Sequence, residues 1–302
     1  MISSLTEFEE STAFERWTLE APVPLPARRP HQGIKDATAN HVWITPGTAV
    51  VRVYAGGFQE VHVDLRPLAF GAAWKILDLL LELAYANAGT KAGGGWLTIA
   101  KKENLARQGR GSLAPLTPDR TLWRTLTSTY VATTQARHSL VHRLAEVDQA
   151  TGTLTGRDKG GQPLMPISAE QQEAFCRAVQ RAAIAVLAGK ISRRERFDLA
   201  WQLDQLQAHH QQPPLGGVQF QPPALLLAPA SLSGGQLVID IPDLLQAAQS
   251  SWPDRKQIDA TFPLPDGSHF LAEVETAPAN VVTVDPDNPP DWLEEWEGWA
   301  RP

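Results

Sequence analysis

Between residues 137 and 143 the chain sets two arginines and two histidines among small and aliphatic residues: Arg137, His138, Ser139, Leu140, Val141, His142 and Arg143. These residue types suit work on a phosphodiester. The forked donors of an arginine hold phosphate oxygens and offset the charge that gathers on them. A histidine, titrating near neutrality, takes a proton from an attacking hydroxyl or returns one to a leaving oxygen. The Arg-x4-His spacing is not rare in itself. With 19 arginines and 8 histidines in 302 residues, about 1.5 pairs with four to six intervening residues arise by chance, and one is present. Its setting has to carry the argument.

That setting is a helix. Thr117-Pro118-Asp119 reads as a start signal, with a capping residue, a proline and an acid in the first turn. An apolar stripe follows through Trp123, Leu126, Tyr130, Thr133, Arg137, Leu140, Leu144 and Val147, so a helix is expected over 119–148. Arg137 falls on the stripe. His142 lies about 140° round the helix from it, whereas His138 and His142, four apart, share a face. An arginine in a packed seam needs a buried acid, or a second surface closing over it. Upstream, Pro67 opens an amphipathic pattern (Leu68, Ala72, Ile76, Leu79, Leu80, Leu83) that ends before Gly89. Downstream, residues 152–166 read as a loop or short hairpin with Asp158-Lys159-Gly160-Gly161 at its tip. Ser168 caps a helix reaching about Ala188, and Ser192 caps another reaching about His210. His209-His210 is expected to act as favourable charge at that helix end.

Composition narrows the function. A net charge of −6 excludes coating of nucleic acid by bulk charge, yet residues 100–145 run the other way. Lys101, Lys102, Arg107, Arg110, Arg120, Arg124, Arg137 and Arg143 there oppose only Glu103 and Asp119, which offers a path for a polyanion or a solvated basic face. The single Cys176 excludes internal disulfides and fits a reducing, cytoplasmic setting as a small buried hydrophobe. Residues 1–20 lack the apolar core of a signal peptide, and no apolar run is long enough for a membrane span. Gly93-Gly94-Gly95 lacks the Lys-Ser or Lys-Thr of a phosphate loop and reads as a connector; no nucleophile elbow or His-Glu-x-x-His is present.

Arg137, His138 and His142 at the end of a helix, flanked by an upstream amphipathic helix, a turn-rich loop and a downstream helix, resemble the motif of the HEPN superfamily of helical ribonucleases, over roughly residues 66–210. The resemblance implies metal-independent cleavage of RNA without a cofactor, in a cleft between two protomers of a homodimer to which both contribute Arg137 and His142. Arg137 would hold the scissile phosphate, His142 would carry the proton, and His138 would position them or act as a second carrier. It also implies a toxin or anti-phage defence effector, with a cognate regulator or antitoxin as a candidate partner. Two other readings stay open: a HEPN-like scaffold that binds RNA or protein without cutting, and a metal site on His138, His142 and Glu146 at i, i+4, i+8.

The expected fold class is α+β. An N-terminal extended segment with a small β unit spans 1–65, a HEPN-like helical domain 66–210 and a small mixed α/β region 211–284, with an acidic, Trp-rich tail over 285–302. Pro22, Pro24, Pro26 and Pro30 around Arg28-Arg29 favour an extended segment. Strand-like alternation covers 41–65. In the tail, Trp292, Trp296 and Trp299 share one helical side, which calls for a surface, the chain's own or a partner's.

Overall fold

The computed structural model describes residues 2–20, 50–55, 59–90, 97–142, 144–219, 224–228, 231–253, 257–264, 267–274, 277–290 and 292–295, with backbone only for 20, 50–55, 59–63 and 231. The proline segment at 22–30, the part of the strand-like stretch over 41–49, the triple glycine, Arg143, Trp296 and Trp299 lie outside the described residues. The chain is mixed α+β, with eight helices among the described residues, which fall into two compact units, one over 2–219 and one over 224–295. No described helix is long and apolar enough to cross a membrane.

The first unit is built around α2 (Arg66–Asn87). Pro67 sits in its first turn, where a missing N–H costs nothing. Ala69, Phe70, Ala73, Trp74, Leu77, Leu80, Leu81 and Ala84 are all buried along it. Against this helix pack α1 (Leu5–Glu20), α4 (Arg120–Val141) and α5 (Ala169–Ala188), with Phe70 meeting Phe175 at 4.7 Å. The short α3 (Ile99–Arg107) lies against α4. On the other side, α6 (Arg193–Asp204) leans on α5, and α7 (Gln207–His210) touches α4. Strands β1 (Val50–Ala55) and β2 (Gln59–Asp64) form the expected antiparallel pair. Both Ser168 and Ser192 form complete capping boxes, with Gln171 and Glu195 reaching back to the cap N–H.

Helix α1 has no clear periodicity in the sequence. Its buried positions are Phe8, Thr12, Glu15 and Leu19, a helical spacing with two polar members in the middle. Thr12 satisfies its hydroxyl on the Phe8 carbonyl at 2.7 Å, and Glu15 pairs with Lys75. The expected helix over 119–148 stops at Val141: Leu144 N–H donates to the Ser139 carbonyl at 2.9 Å, and β3 (Ala145–Val147) begins a hairpin with β4 (Leu154–Gly156).

The second unit holds two small sheets. Strands β6 (Ser231–Ser233), β7 (Gln236–Asp240) and β10 (Val281–Val284) form an antiparallel sheet in the order β10-β7-β6. In the other, ordered β11-β9-β8-β5, only β5 (Ala224–Leu227) runs parallel to its neighbour β8 (Ile258–Pro263); β9 (His269–Glu273) and β11 (Leu293–Glu295) are antiparallel. With α8 (Ile241–Ser251) they enclose a core that includes Ile239, Leu244, Phe262 and Phe270. Within the tail, where a helical side of tryptophans was expected, the described residues Leu293–Glu295 form strand β11, and Trp292 packs on this unit's own core.

Buried charge ties the first unit together. Lys102, 3% exposed, reaches Asp78 at 2.6 Å and Glu82 at 3.0 Å, and Glu82 also accepts the Ile2 N–H at 3.0 Å. Removing one partner leaves the others charged without compensation. Lys102→Met is expected to cost about 3–5 kcal/mol in urea unfolding; an unchanged midpoint would show that the network contributes nothing.

Candidate functional site

The site is carried by the C-terminal end of α4. Asp119 is the N-cap, its Oδ1 accepting from Thr121 N–H at 3.1 Å and Leu122 N–H at 3.0 Å, while Oδ2 takes Arg196 Nε at 2.8 Å. Burial pushes the Asp119 carboxyl up, but the Leu122 N–H, Arg196 and the Thr121 N–H outweigh it and hold the group below the usual carboxylate range. Thr117, two residues earlier, caps the preceding turn through Leu113 instead. From Asp119 the helix buries Leu122, Trp123, Leu126, Tyr130, Thr133 and Thr134.

Arg137 follows Tyr130 by seven residues and therefore lies on nearly the same face. Its guanidinium sits 4.9 Å from the centroid of Trp74, and the Trp74 ring stacks on Tyr130 at 5.1 Å with 24° between planes. Tyr130 Oη donates to Asp78 at 2.8 Å; burial, then the Asp78 charge, push that phenol far up, so it stays protonated. Arg137 thus ends a row running Arg137, Trp74, Tyr130, Asp78. Cation–π attraction of this kind is worth about 0.5–2 kcal/mol. Among the described residues, no carboxylate lies within 4.0 Å of Arg137 and its N–H groups make no hydrogen bond. The stripe position of Arg137 is therefore accounted for by Trp74 of the same protomer, and neither a buried acid nor a second chain is needed to explain it. Trp74 Nε1, also buried, has no acceptor among the described residues.

His138 and His142 share a face as expected, their rings 4.2 Å apart and inclined at 47°. His142 is the helix C-cap and exposed, its N–H reaching the His138 carbonyl at 3.1 Å. His138 is half-buried. Loss of solvent, then the neighbouring His142, Lys159 and Arg137, lower its pKa below that of a free histidine, so it is neutral at pH 7. Lys159 reaches this neighbourhood because the β3–β4 hairpin is pinned on α4. Ser139, fully buried, accepts the Arg157 N–H at 3.3 Å, and Gly156 lies so close to the Ser139 hydroxyl that a Cβ there would collide with it. Just past β4, Arg157 bridges to Pro163 around the expected Asp158–Gly161 turn, which is closed by Asp158 Oδ1 on the N–H groups of Gly160 and Gln162, both at 2.8 Å.

Arg137, His138 and His142 are thus brought together in one protomer, with Lys159 added. Several sequence expectations fail. Glu146 lies on β3, beyond the helix end, so the i, i+4, i+8 face proposed for a metal does not form; among the described residues no three His, Cys, Asp or Glu side chains gather as ligands. Lys102 leaves the basic path for its buried carboxylates. His210 is no helix-end cation: 5% exposed, it bonds the Leu203 carbonyl through Nε2 at 2.9 Å and accepts the Gln212 N–H on Nδ1 at 3.0 Å, a neutral tautomer that burial favours. Cys176 is fully buried as expected, and burial pushes its thiol far up. Sequence reasoning missed Trp74 as the platform of Arg137 and Lys159 as a neighbour of His138. The heptad Trp123, Tyr130, Arg137 was the available hint for the first; nothing local marked the second.

Compared with protein families, with curated proteins and with solved structures, the chain matches none. Its site is read from geometry.

Because Lys159 lowers the His138 pKa, Lys159→Gln is expected to raise it. An NMR titration of the imidazole Cε1–H signals checks this: the wild-type His138 midpoint should lie below 6.5, the ordinary histidine value, and should move up in the variant. A midpoint that stays put would remove Lys159 from the site.

Proposed function

We propose that the protein is a metal-independent endoribonuclease of HEPN type, with Arg137, His138 and His142 as its catalytic residues. The observation that carries this reading is Arg137: held over the Trp74 ring, free of any carboxylate among the described residues, and set beside one neutral and one exposed imidazole. In the reaction, neutral His138 accepts the proton of a ribose 2′-hydroxyl, whose oxygen then bonds to the adjacent phosphorus. Arg137 holds the non-bridging oxygens as charge builds on them. The bond from phosphorus to the 5′-oxygen breaks, and His142, entering the step as the imidazolium, gives its proton to that oxygen and leaves neutral while His138 leaves protonated. A 2′,3′-cyclic phosphate and a 5′-hydroxyl result, and the proton count balances between the two histidines.

The HEPN-type reading also comprises the arrangement of α2, α4, α5 and α6 as a helical bundle with the motif at the end of one helix, a homodimer that sets two such sites across a dyad, and a role as toxin or anti-phage defence effector. Each of these rests on the resemblance of the Arg-x4-His motif and its flanking helices.

Labelled RNA incubated with the purified protein in EDTA tests the proposal. Wild type is expected to cut, leaving cyclic phosphate ends; Arg137→Ala and His142→Ala are expected to lose about 10²–10⁴-fold in rate. The rate kcat/KM should fall as pH drops through the His138 midpoint, below 6.5, because protonated His138 cannot accept a proton. Binding without cleavage points to the scaffold reading, and equal cutting by the variants sinks the site assignment.

A further inference from the structure

A second cationic feature lies at the other end of α4. The loop after α3 and the first turns of α4 enclose a depression of about 560 Å³ lined by Gly109, Gly111, Thr117, Arg120, Trp123 and Arg124. Its floor is fixed. Gly111, with φ of 138°, lies so close to Trp123 that a Cβ would collide with the indole, and Trp123 Nε1 donates to the Arg110 carbonyl at 3.2 Å. Arg120 and Arg124 are exposed on its wall, and among the described residues neither makes an ion pair or a hydrogen bond. The nearest carboxylate in sequence, Asp119, is occupied by Arg196 and by the helix's own N–H groups.

The two ends are joined by one helix face. Arg120, Arg124, Ser128, Val131, Gln135, His138 and His142 recur at three- and four-residue steps and are all exposed or half-buried, while the opposite face of α4 is core. Residues 120–141 contain three arginines and no acid. At 1.5 Å per residue, Arg124 and His138 stand about 21 Å apart along this face.

We infer that this depression is a phosphate-anchoring site for a single RNA strand that runs along the exposed face of α4 from Arg120 and Arg124 to His138 and His142. The inference rests on the proposed reading of the Arg137 site for its substrate class, but it is a statement about binding. A strand long enough to span both ends contacts both. A dinucleotide held at Arg137 and the histidines does not reach the arginine end.

The test compares the full chain carrying His142→Ala, in EDTA, with the same chain carrying Arg120→Gln and Arg124→Gln as well. Fluorescence anisotropy is read for a labelled RNA dodecamer and a labelled dinucleotide over a rising KCl series, with circular dichroism confirming equal folding. The glutamine pair is expected to weaken the dodecamer about tenfold and to lower the slope of log K against log salt by about 1.4, two phosphate contacts at roughly 0.7 each. Dinucleotide binding should not change. An unchanged dodecamer affinity and slope, or a parent chain that binds no RNA, overturns the inference. Dodecamer binding that depends on both arginines, in a protein whose wild type fails to cut, leaves the anchor standing and removes the nuclease reading.

Discussion

A single carboxylate, Asp78 on α2, sets the geometry on which the candidate site depends. One of its oxygens accepts from Tyr130 of α4 and the other from Lys102 of α3, so three helices meet on one residue. Tyr130 is thereby fixed in rotation, Trp74 lies flat against it, and Arg137 lies on Trp74. Ion pairs this deep seldom stabilise more than apolar packing of the same volume would. What they supply is a unique arrangement. A core of leucines at these positions could hold the helices together without specifying where the guanidinium ends.

At the far end of that row the electrostatics are unresolved. Arg137, Lys159, His138 and His142 share one small region with no acid paired to Arg137 among the described residues. The protein meets the repulsion in the free state by keeping His138 neutral, the response expected of a histidine, whose charge can be given up near pH 7. On the proposed reading, a bound phosphodiester would supply the missing negative charge and favour a protonated His138 once the 2′-hydroxyl has released its proton. In the proposed reaction the cost of assembling the cations would be matched to the charge that develops on the phosphate.

Most of the helices were legible because their buried faces are apolar at helical spacing: α2 from Pro67 onward, and α5 and α6 from their serine caps. Helix α1 was hidden by Thr12 and Glu15, polar residues buried through partners that no local pattern reveals. The start of α4 was legible, but its end was not. Leu144 and Val147 continue the three- and four-residue spacing while belonging to a hairpin, and the bond that closes the helix, Leu144 N–H to the Ser139 carbonyl, is a backbone event. The same ambiguity misread the tail, where Leu293–Glu295 is a strand placed by pairing with β9, a contact about twenty residues away in sequence. In the candidate site, the three motif residues were legible from type and spacing. Trp74, 63 residues upstream of Arg137, and Lys159, on a hairpin tip, are joined to them only by tertiary packing.

The central claim is that Arg137, His138 and His142 form one receptor for a phosphodiester. It is tested most directly by following the His138 and His142 imidazole signals by NMR while adding an oligonucleotide that lacks the attacking 2′-hydroxyl and so cannot be cut. Both signals are expected to shift and the His138 midpoint to rise toward or above the ordinary histidine value of about 6.5, since a bound anion favours the charged ring. Arg137→Ala should abolish that rise. A His138 midpoint that remains depressed at saturating oligonucleotide would contradict it.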